Sequence, residues 1–329
     1  MARALRFVAP HRVELHEVPV RAPEEGELLV RAEFSGISAG TEMLAYRGEI
    51  DPSLPLDEAL GALGGTFTYP FAYGYSAVGT VERSRGTISA GSLVFAFHPH
   101  QDLFVVAEDD VVPLDGVDPR RATLLPLVET ALQVCLDAGP RLAEDVVVLG
   151  LGCVGSLTAA LLARAGARVI GSEPREARRR AAARLGVHAV APGHLAAAVD
   201  EATAGRGVAL LVEASGNPEA LARSLAVLAH EGVALVCSWY GTKSVPLPLG
   251  ADFHRRRLVI RSSQVSTIPA ELGSRWDRAR RRTAARALLS ELPLEVLATH
   301  EFPFERAAEA YAALARSEPG LLHAALRYA

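Results

Sequence analysis

Asp145-Val-Val-Val-Leu-Gly-Leu-Gly-Cys-Val-Gly155 is the stretch from which the rest of the chain is read. Val146 to Leu149 is a short aliphatic, β-branched run bounded by glycine, the pattern of a buried strand. Gly150, Gly152 and Gly155 follow with the spacing G-x-G-x-x-G, and Ser156 to Ala165 is an Ala/Leu-rich helical stretch. In a strand–turn–helix the first glycine permits the tight turn and the second lets backbone approach a pyrophosphate. The third lets the helix pack close to the strand. The helix start, at Cys153 and Val154, would then present N–H groups and the positive end of the helix dipole to the phosphates. An empty α/β turn could use the same glycines, so the context has to decide.

The context supplies a second strand, Ala167 to Ser172, ending at Glu173, close to the spacing of about twenty residues at which such folds place an acid on the adenosine ribose. A carboxylate there accepts from the ribose hydroxyls and repels a 2′-phosphate, which favours NAD over NADP. Arg175, Arg178, Arg179 and Arg180 pull the other way: an arginine just past the acid can hold a 2′-phosphate, although the same run also suits a solvated helix face. NADP therefore stays open.

Working outward, strands and helices alternate on the C-terminal side. Helix 175–185, a weak strand near Ala189, helix 195–203, strand 209–213, helix 218–229 and strands 232–237 and 258–262 follow in turn. That alternation predicts a doubly wound parallel sheet. On the N-terminal side, short strands at 5–8, 12–18, 27–34, 74–82, 93–97 and 103–106 are punctuated by Pro10, Pro19, Pro23 and Gly26. They suggest a compact, barrel-like β domain. Residues 48–73 read as a long loop and 120–138 as helical. Helices at 279–292 and 305–314 and a strand at 322–326 close the chain.

The chain has 329 residues, half of them hydrophobic, enough for two domains with substantial cores. A net charge of −4 carries no nucleic-acid signature. Cys135, Cys153 and Cys237 are the only cysteines, and no C-x-x-C exists, which excludes a cysteine-built structural zinc site and disfavours a disulfide framework. Lys243 is the only lysine. The start of the chain has no apolar signal core, so a cytoplasmic protein is expected. The uncharged span Val146–Ala163 is explained better as strand, turn and helix than as a membrane helix.

A β-rich first domain, a central dinucleotide domain and a C-terminal return together resemble the medium-chain dehydrogenase/reductase superfamily. The carriers are Gly40-Thr-Glu42, Gly74-Tyr-Ser-Ala-Val-Gly-Thr-Val81, Gly91-Ser-Leu-Val94, Leu125-Pro-Leu-Val-Glu129, the glycine motif and Glu213-Ala-Ser-Gly-Asn-Pro218. Ser238-Trp-Tyr-Gly241, Phe253-His-Arg-Arg-Arg257 and Ser262-Ser-Gln-Val265 are most similar to the group around bacteriochlorophyllide dehydrogenase. The resemblance implies a GroES-like substrate domain (1–122), a Rossmann domain (123–262) and a return that completes the first domain (263–329). It also implies a small-molecule substrate in a cleft between them, and a homodimer built through the sheet edge before Ser262.

The departures from that pattern shape the chemistry expected. Zinc members carry cysteine in a C-G-T-D-like motif and histidine in a G-H-E motif. Here Ala39 and Tyr75 stand at those places, and Ser76 replaces the glutamate. Glu129 could correspond to a third ligand but cannot hold zinc alone. Ser38, Glu42, His98 and His100 could build only a site of different geometry. A zinc-free enzyme is expected, with no Lewis acid on a carbonyl. Thr41, at a position where relatives hydrogen-bond the substrate oxygen, and the phenol of Tyr75 are the candidate proton donors, and Glu129 the candidate orienting acid or base. The same residues could instead cap a turn, fill the old metal site and serve the fold. His98 and His100 are further candidate shuttles. Ser215, Ser238 and Trp239 fall at strand ends near the expected cofactor, together with Gly150, Gly152, Cys153, Val154, Gly155, Glu173 and Arg175. The expected reaction is hydride exchange between nicotinamide and a secondary alcohol or ketone. Reduction of an activated C=C bond, or dinucleotide binding without turnover, are the alternatives.

Overall fold

Val146 and Val148 alternate with Val147 and Leu149 along a single strand, and both pairs are buried, on opposite faces. A strand buried on both sides must be covered by helices on both sides, which is the architecture of a parallel α/β sheet. The computed structural model describes residues 1–329. It divides into two compact units, Leu127–Leu288 and Met1–Pro126 with Leu289–Ala329.

The first unit carries strands β1 (Ala2–Ala9), β2 (Arg12–Val18), β3 (Glu27–Ile37), β4 (Ala77–Ser84), β5 (Leu93–Ala96), β6 (Leu103–Ala107) and β7 (Val111–Pro113). Its helices are the short α1 (Thr41–Arg47) and α2 (Pro119–Ala122), and α3 (Leu125–Ala138) leads into the second unit. The second unit carries β8 (Asp145–Leu149), α4 (Cys153–Arg164), β9 (Arg168–Ser172), α5 (Glu176–Arg184), β10 (His188–Val190), α6 (Leu195–Thr203), β11 (Val208–Glu213), α7 (Pro218–Ser224), β12 (Leu228–Val236) and β13 (Val259–Ser262). Then α8 (Arg278–Glu291) leads back to β14 (His300–Pro303), α9 (Ala307–Ala315) and β15 (Ala324–Arg327) in the first unit.

In the second unit six strands pair in parallel in the order β10-β9-β8-β11-β12-β13. Counted from β8 as the first, that is 3-2-1-4-5-6, the doubly wound order, with its topological switch between β8 and β11. Val146, Val148, Leu210, Val212 and Leu235 pack one face. Val147, Leu149, Leu211 and Ala234 pack the other. In the first unit the sheet order is β14-β15-β3-β4-β5-β7, with β6 paired to β3 and a separate β1-β2 hairpin. The segment 48–73 has no regular helix or strand, as expected, yet Leu56, Leu63, Phe67 and Phe71 from it are buried in the first unit's core.

Three expectations change. The helix expected over 218–229 ends at Ser224, because β12 begins at Leu228 rather than 232 and bulges at His230–Glu231, with Glu231 at φ 58°. The short strands β7 and β14 were not foreseen. The unit boundaries fall at 126 and 288 rather than 122 and 262. The reason for the second shift is α8, whose Arg281 is anchored on Glu129 and Gln133 of α3 within the dinucleotide unit. No helix is long and apolar enough to cross a membrane.

Candidate cofactor and catalytic sites

The glycine loop at the end of β8 is built as its residue types require. Gly150 sits at φ 83°, and a Cβ there would lie 2.5 Å from the Cα of Ser215. A Cβ on Gly155 would lie 1.9 Å from the carbonyl oxygen of Gly150, so only hydrogen lets α4 start this close to the strand. Gly152 differs. Its φ of −69° suits any residue, and a Cβ would meet only the Arg178 guanidinium at 3.9 Å. Neither strain nor internal packing calls for glycine at 152, and the space over its Cα is open. Gly152 is also the N-cap of α4, at the head of the helix's first turn, where N–H groups point outward.

Glu173 follows β9 and is buried. Its Oε2 accepts from the Leu151 N–H at 3.0 Å and its Oε1 from the Arg175 N–H at 2.9 Å. The carboxylate therefore ties the glycine loop to the end of β9, and each oxygen keeps a lone pair for another donor. Arg178 Nη1 lies 3.8 Å from Glu173 Oε2. Arg179 instead donates to the carbonyls of Glu173 and Pro174, and Arg180 pairs with Glu176. Among the expected arginines it is thus Arg178 that reaches the glycine loop. Its place three residues beyond Arg175 was the available signal.

The switch side of the sheet is tied together by Glu213 at the end of β11. Its Oε1 accepts from the Ser215 N–H and Oγ–H and from the Gly216 N–H. Ser238 Oγ accepts from the same Gly216 N–H at 2.9 Å. Ser215 and Ser238 so hold the turn that crosses the glycine loop, while Trp239 is 41% exposed. Burial pushes the thiols of Cys135, Cys153 and Cys237 up to about 12, which leaves none of them as a nucleophile at neutral pH.

In the first unit, Thr41 opens α1, with Gly40 as N-cap and no side-chain cap. The phenol of Tyr75 lies near the side chains of Ser38 and Thr41, whose hydroxyls favour its ionised form to a lesser extent. Burial first, and the Glu42 carboxylate second, push it up to about 12, so it carries its proton at neutral pH. Ala39 beside them is exposed. His98 stacks on Phe104 and is pushed down to about 4 by burial, a neutral packing residue. His100, fully buried, instead bonds Glu42 and Ser35. Glu129 is in the other unit, on α3, where its Oε1 accepts from Nε and Nη2 of Arg281 at 3.1 Å, both side chains being buried. No cluster of three or more His, Cys, Asp or Glu side chains could hold a metal.

A doubly wound sheet whose glycine loop leaves room at Gly152, joined in one chain to a β-rich unit with a hydroxyl and phenol cluster, defines an NAD(P)-dependent oxidoreductase. Comparison with known proteins agrees. The family model described as zinc-binding dehydrogenase matches residues 153–281. The 2-desacetyl-2-hydroxyethyl bacteriochlorophyllide A dehydrogenase of Cereibacter sphaeroides is 28% identical, over 97% of this chain and 96% of its own. An alcohol dehydrogenase of Thermotoga maritima superposes with a TM-score of 0.80 at 17% identity, covering 100% of this chain and 99% of its own. An Escherichia coli alcohol dehydrogenase complexed with NADH superposes with a TM-score of 0.78 at 17% identity, covering 99% of each. The chain is thus similar, over nearly its whole length, to dehydrogenases of the medium-chain dehydrogenase/reductase type.

Proposed function

We propose that this protein is a zinc-independent dehydrogenase that exchanges a hydride between nicotinamide and a secondary alcohol or its ketone. The observation that carries the reading is the Tyr75 phenol placed beside the Ser38 and Thr41 side chains, where a metal site would need thiolate and imidazole. Alanine at 39 and a Glu129 already engaged by Arg281 do not make a zinc site. The hydroxyethyl-converting relative supports a secondary carbinol as the reacting group.

Bound nicotinamide supplies the hydride chemistry. The chain's own residues handle the proton and the geometry. With its proton held at neutral pH, the Tyr75 Oη–H donates to the substrate oxygen. In ketone reduction that proton passes to the oxygen as the C–H bond forms. The Thr41 and Ser38 hydroxyls fix the phenol and give it a route for reprotonation. In oxidation the phenol is a poor base at neutral pH, and oxidation should quicken with alkali. Gly152 and the start of α4 would take the pyrophosphate, and Glu173 the adenosine ribose. NAD is the favoured cofactor because the Glu173 carboxylate repels a 2′-phosphate; NADP is accepted to the extent that Arg178 and Arg175 outweigh it. A homodimer through the exposed edge strand β13, a small-molecule substrate and a cytoplasmic setting complete the reading.

The test is a fluorescence titration with NADH and NADPH in EDTA, followed by a panel of secondary alcohols, ketones and enones. Tighter NADH binding, ketone and alcohol turnover insensitive to EDTA, and a loss of at least tenfold in kcat for Tyr75→Phe are expected, with the mass of a dimer in solution. Turnover of enones alone would move the reading to C=C reduction. Loss of activity on metal removal would overturn the zinc-free site.

A further inference from the structure

The first unit holds a buried polar cluster that the proposed chemistry does not use directly. Glu42, entirely buried, receives three hydrogen bonds. Its Oε1 accepts from the Ser38 N–H at 2.8 Å, and its Oε2 accepts from His100 Nε2 at 2.9 Å and from the Tyr311 hydroxyl. The other ring nitrogen of His100, Nδ1, bonds Ser35 Oγ at 2.7 Å, and Ser35 Oγ bonds the Tyr328 hydroxyl at 2.8 Å. One donor polarity satisfies the whole chain. Tyr328 donates to Ser35, Ser35 to His100, and His100 and Tyr311 to Glu42. A buried acid is expensive unless its lone pairs are met in this way.

The cluster grips both segments that present the candidate proton donors. Glu42 follows Thr41 directly and binds the backbone of Ser38, so it sets the turn that carries both hydroxyls. His100 lies against the irregular segment that leads to Tyr75: a Cβ on Gly74 would sit 2.7 Å from its ring, so only glycine admits the imidazole there. The His100 N–H also reaches the Tyr73 carbonyl oxygen at 3.5 Å. One acid–imidazole pair therefore ties residues 38–42 to residues 73–75. We propose that Glu42 and His100 are positioning residues that hold the Tyr75 phenol against Ser38 and Thr41, doing with buried hydrogen bonds what a metal ion would otherwise do for the site. The inference rests on the reading that Tyr75 touches substrate.

The test uses the protein with its tyrosines labelled at 13Cζ, the Tyr75 resonance being the one absent from Tyr75→Phe. His100→Gln and Glu42→Gln are expected to move that resonance and to lower kcat at least tenfold, while NADH binding, which lies in the other unit, keeps its Kd. In Glu42→Gln the alkaline limb of the pH–rate profile should move to lower pH, because Glu42 and Asp57 are the acids whose charge raises the phenol. If either variant fails to fold, Tyr328→Phe, which removes only the hydroxyl at the far end of the chain, carries the same readout with a smaller shift. An unmoved resonance with unchanged kcat overturns the proposal. So does a fall in kcat that comes with an equal loss of NADH binding and melting temperature, the mark of a merely structural role. A resonance that moves in a protein whose wild type turns over no alcohol, ketone or enone leaves the positioning intact and sinks the proposed function instead.

Discussion

At the scale of single residues, the three glycines of the motif look alike in sequence but differ in what they do. Gly155 faces the carbonyl of Gly150 so closely that a methyl group has nowhere to go, since the two nearest atoms are backbone. Gly155→Ala should destabilise the protein by about 3 kcal/mol, as overpacking against an immovable partner does. Gly152 has room and ordinary dihedrals. Gly152→Ala should leave the melting temperature almost unchanged and raise the Kd for NADH about tenfold, or about 1.4 kcal/mol. Thermal melts beside NADH titrations of the two variants check both statements; equal effects on stability would refute the distinction.

At the scale of elements, α3 and α8 are joined by the buried pair Glu129–Arg281, with Gln133 completing the guanidinium's partners. The pairing explains why α8 begins in the dinucleotide unit, and it gives Glu129 a partner that no reading of 125–129 alone could supply. Removing one partner strands a buried charge. Arg281→Met should lower stability by about 3–5 kcal/mol, whereas Glu129→Leu together with Arg281→Met should recover most of that loss, because an apolar pair has no desolvation penalty to offset. Denaturant unfolding of the single and double variants measures this. A double variant as unstable as the single one would show that the pair contributes net stability rather than only avoiding a stranded charge.

For the whole molecule, the first unit keeps two imidazoles, His98 and His323, pushed down to about 4 chiefly by burial. In the unfolded chain each titrates near its ordinary value of about 6.5. Between those values the unfolded state binds the proton and the folded state does not. The stability tied to these groups is therefore fully present above about pH 6.5 and is lost as pH falls towards 4. Melting temperature should hold steady from pH 8 to 7 and then fall progressively. His323→Gln, which keeps a polar partner for Thr123 Oγ1 at that place, should flatten the fall. A melting curve indifferent to pH between 7 and 4 would contradict this.

The doubly wound sheet, its glycine loop and the acid at 173 were legible from the sequence because their signals are local. Alternating buried residues, a fixed glycine spacing and a strand-ending acid lie within thirty residues of one another. The family resemblance rests on the same kind of local motif. The start of β12 was placed at 232 instead of 228 because a bulge interrupts its period, and β7 and β14 were missed because three or four residues carry too little periodicity. Other features come from partners far apart in the chain, and only the tertiary structure decided them. Glu129 meets Arg281 across 152 residues, and Glu42 meets His100 across 58 and Tyr311 across 269. A lone glutamate in sequence reads as ligand, base or structural acid with equal ease. Which of these it is depends on the donors that folding brings to its oxygens, and burial makes those donors obligatory.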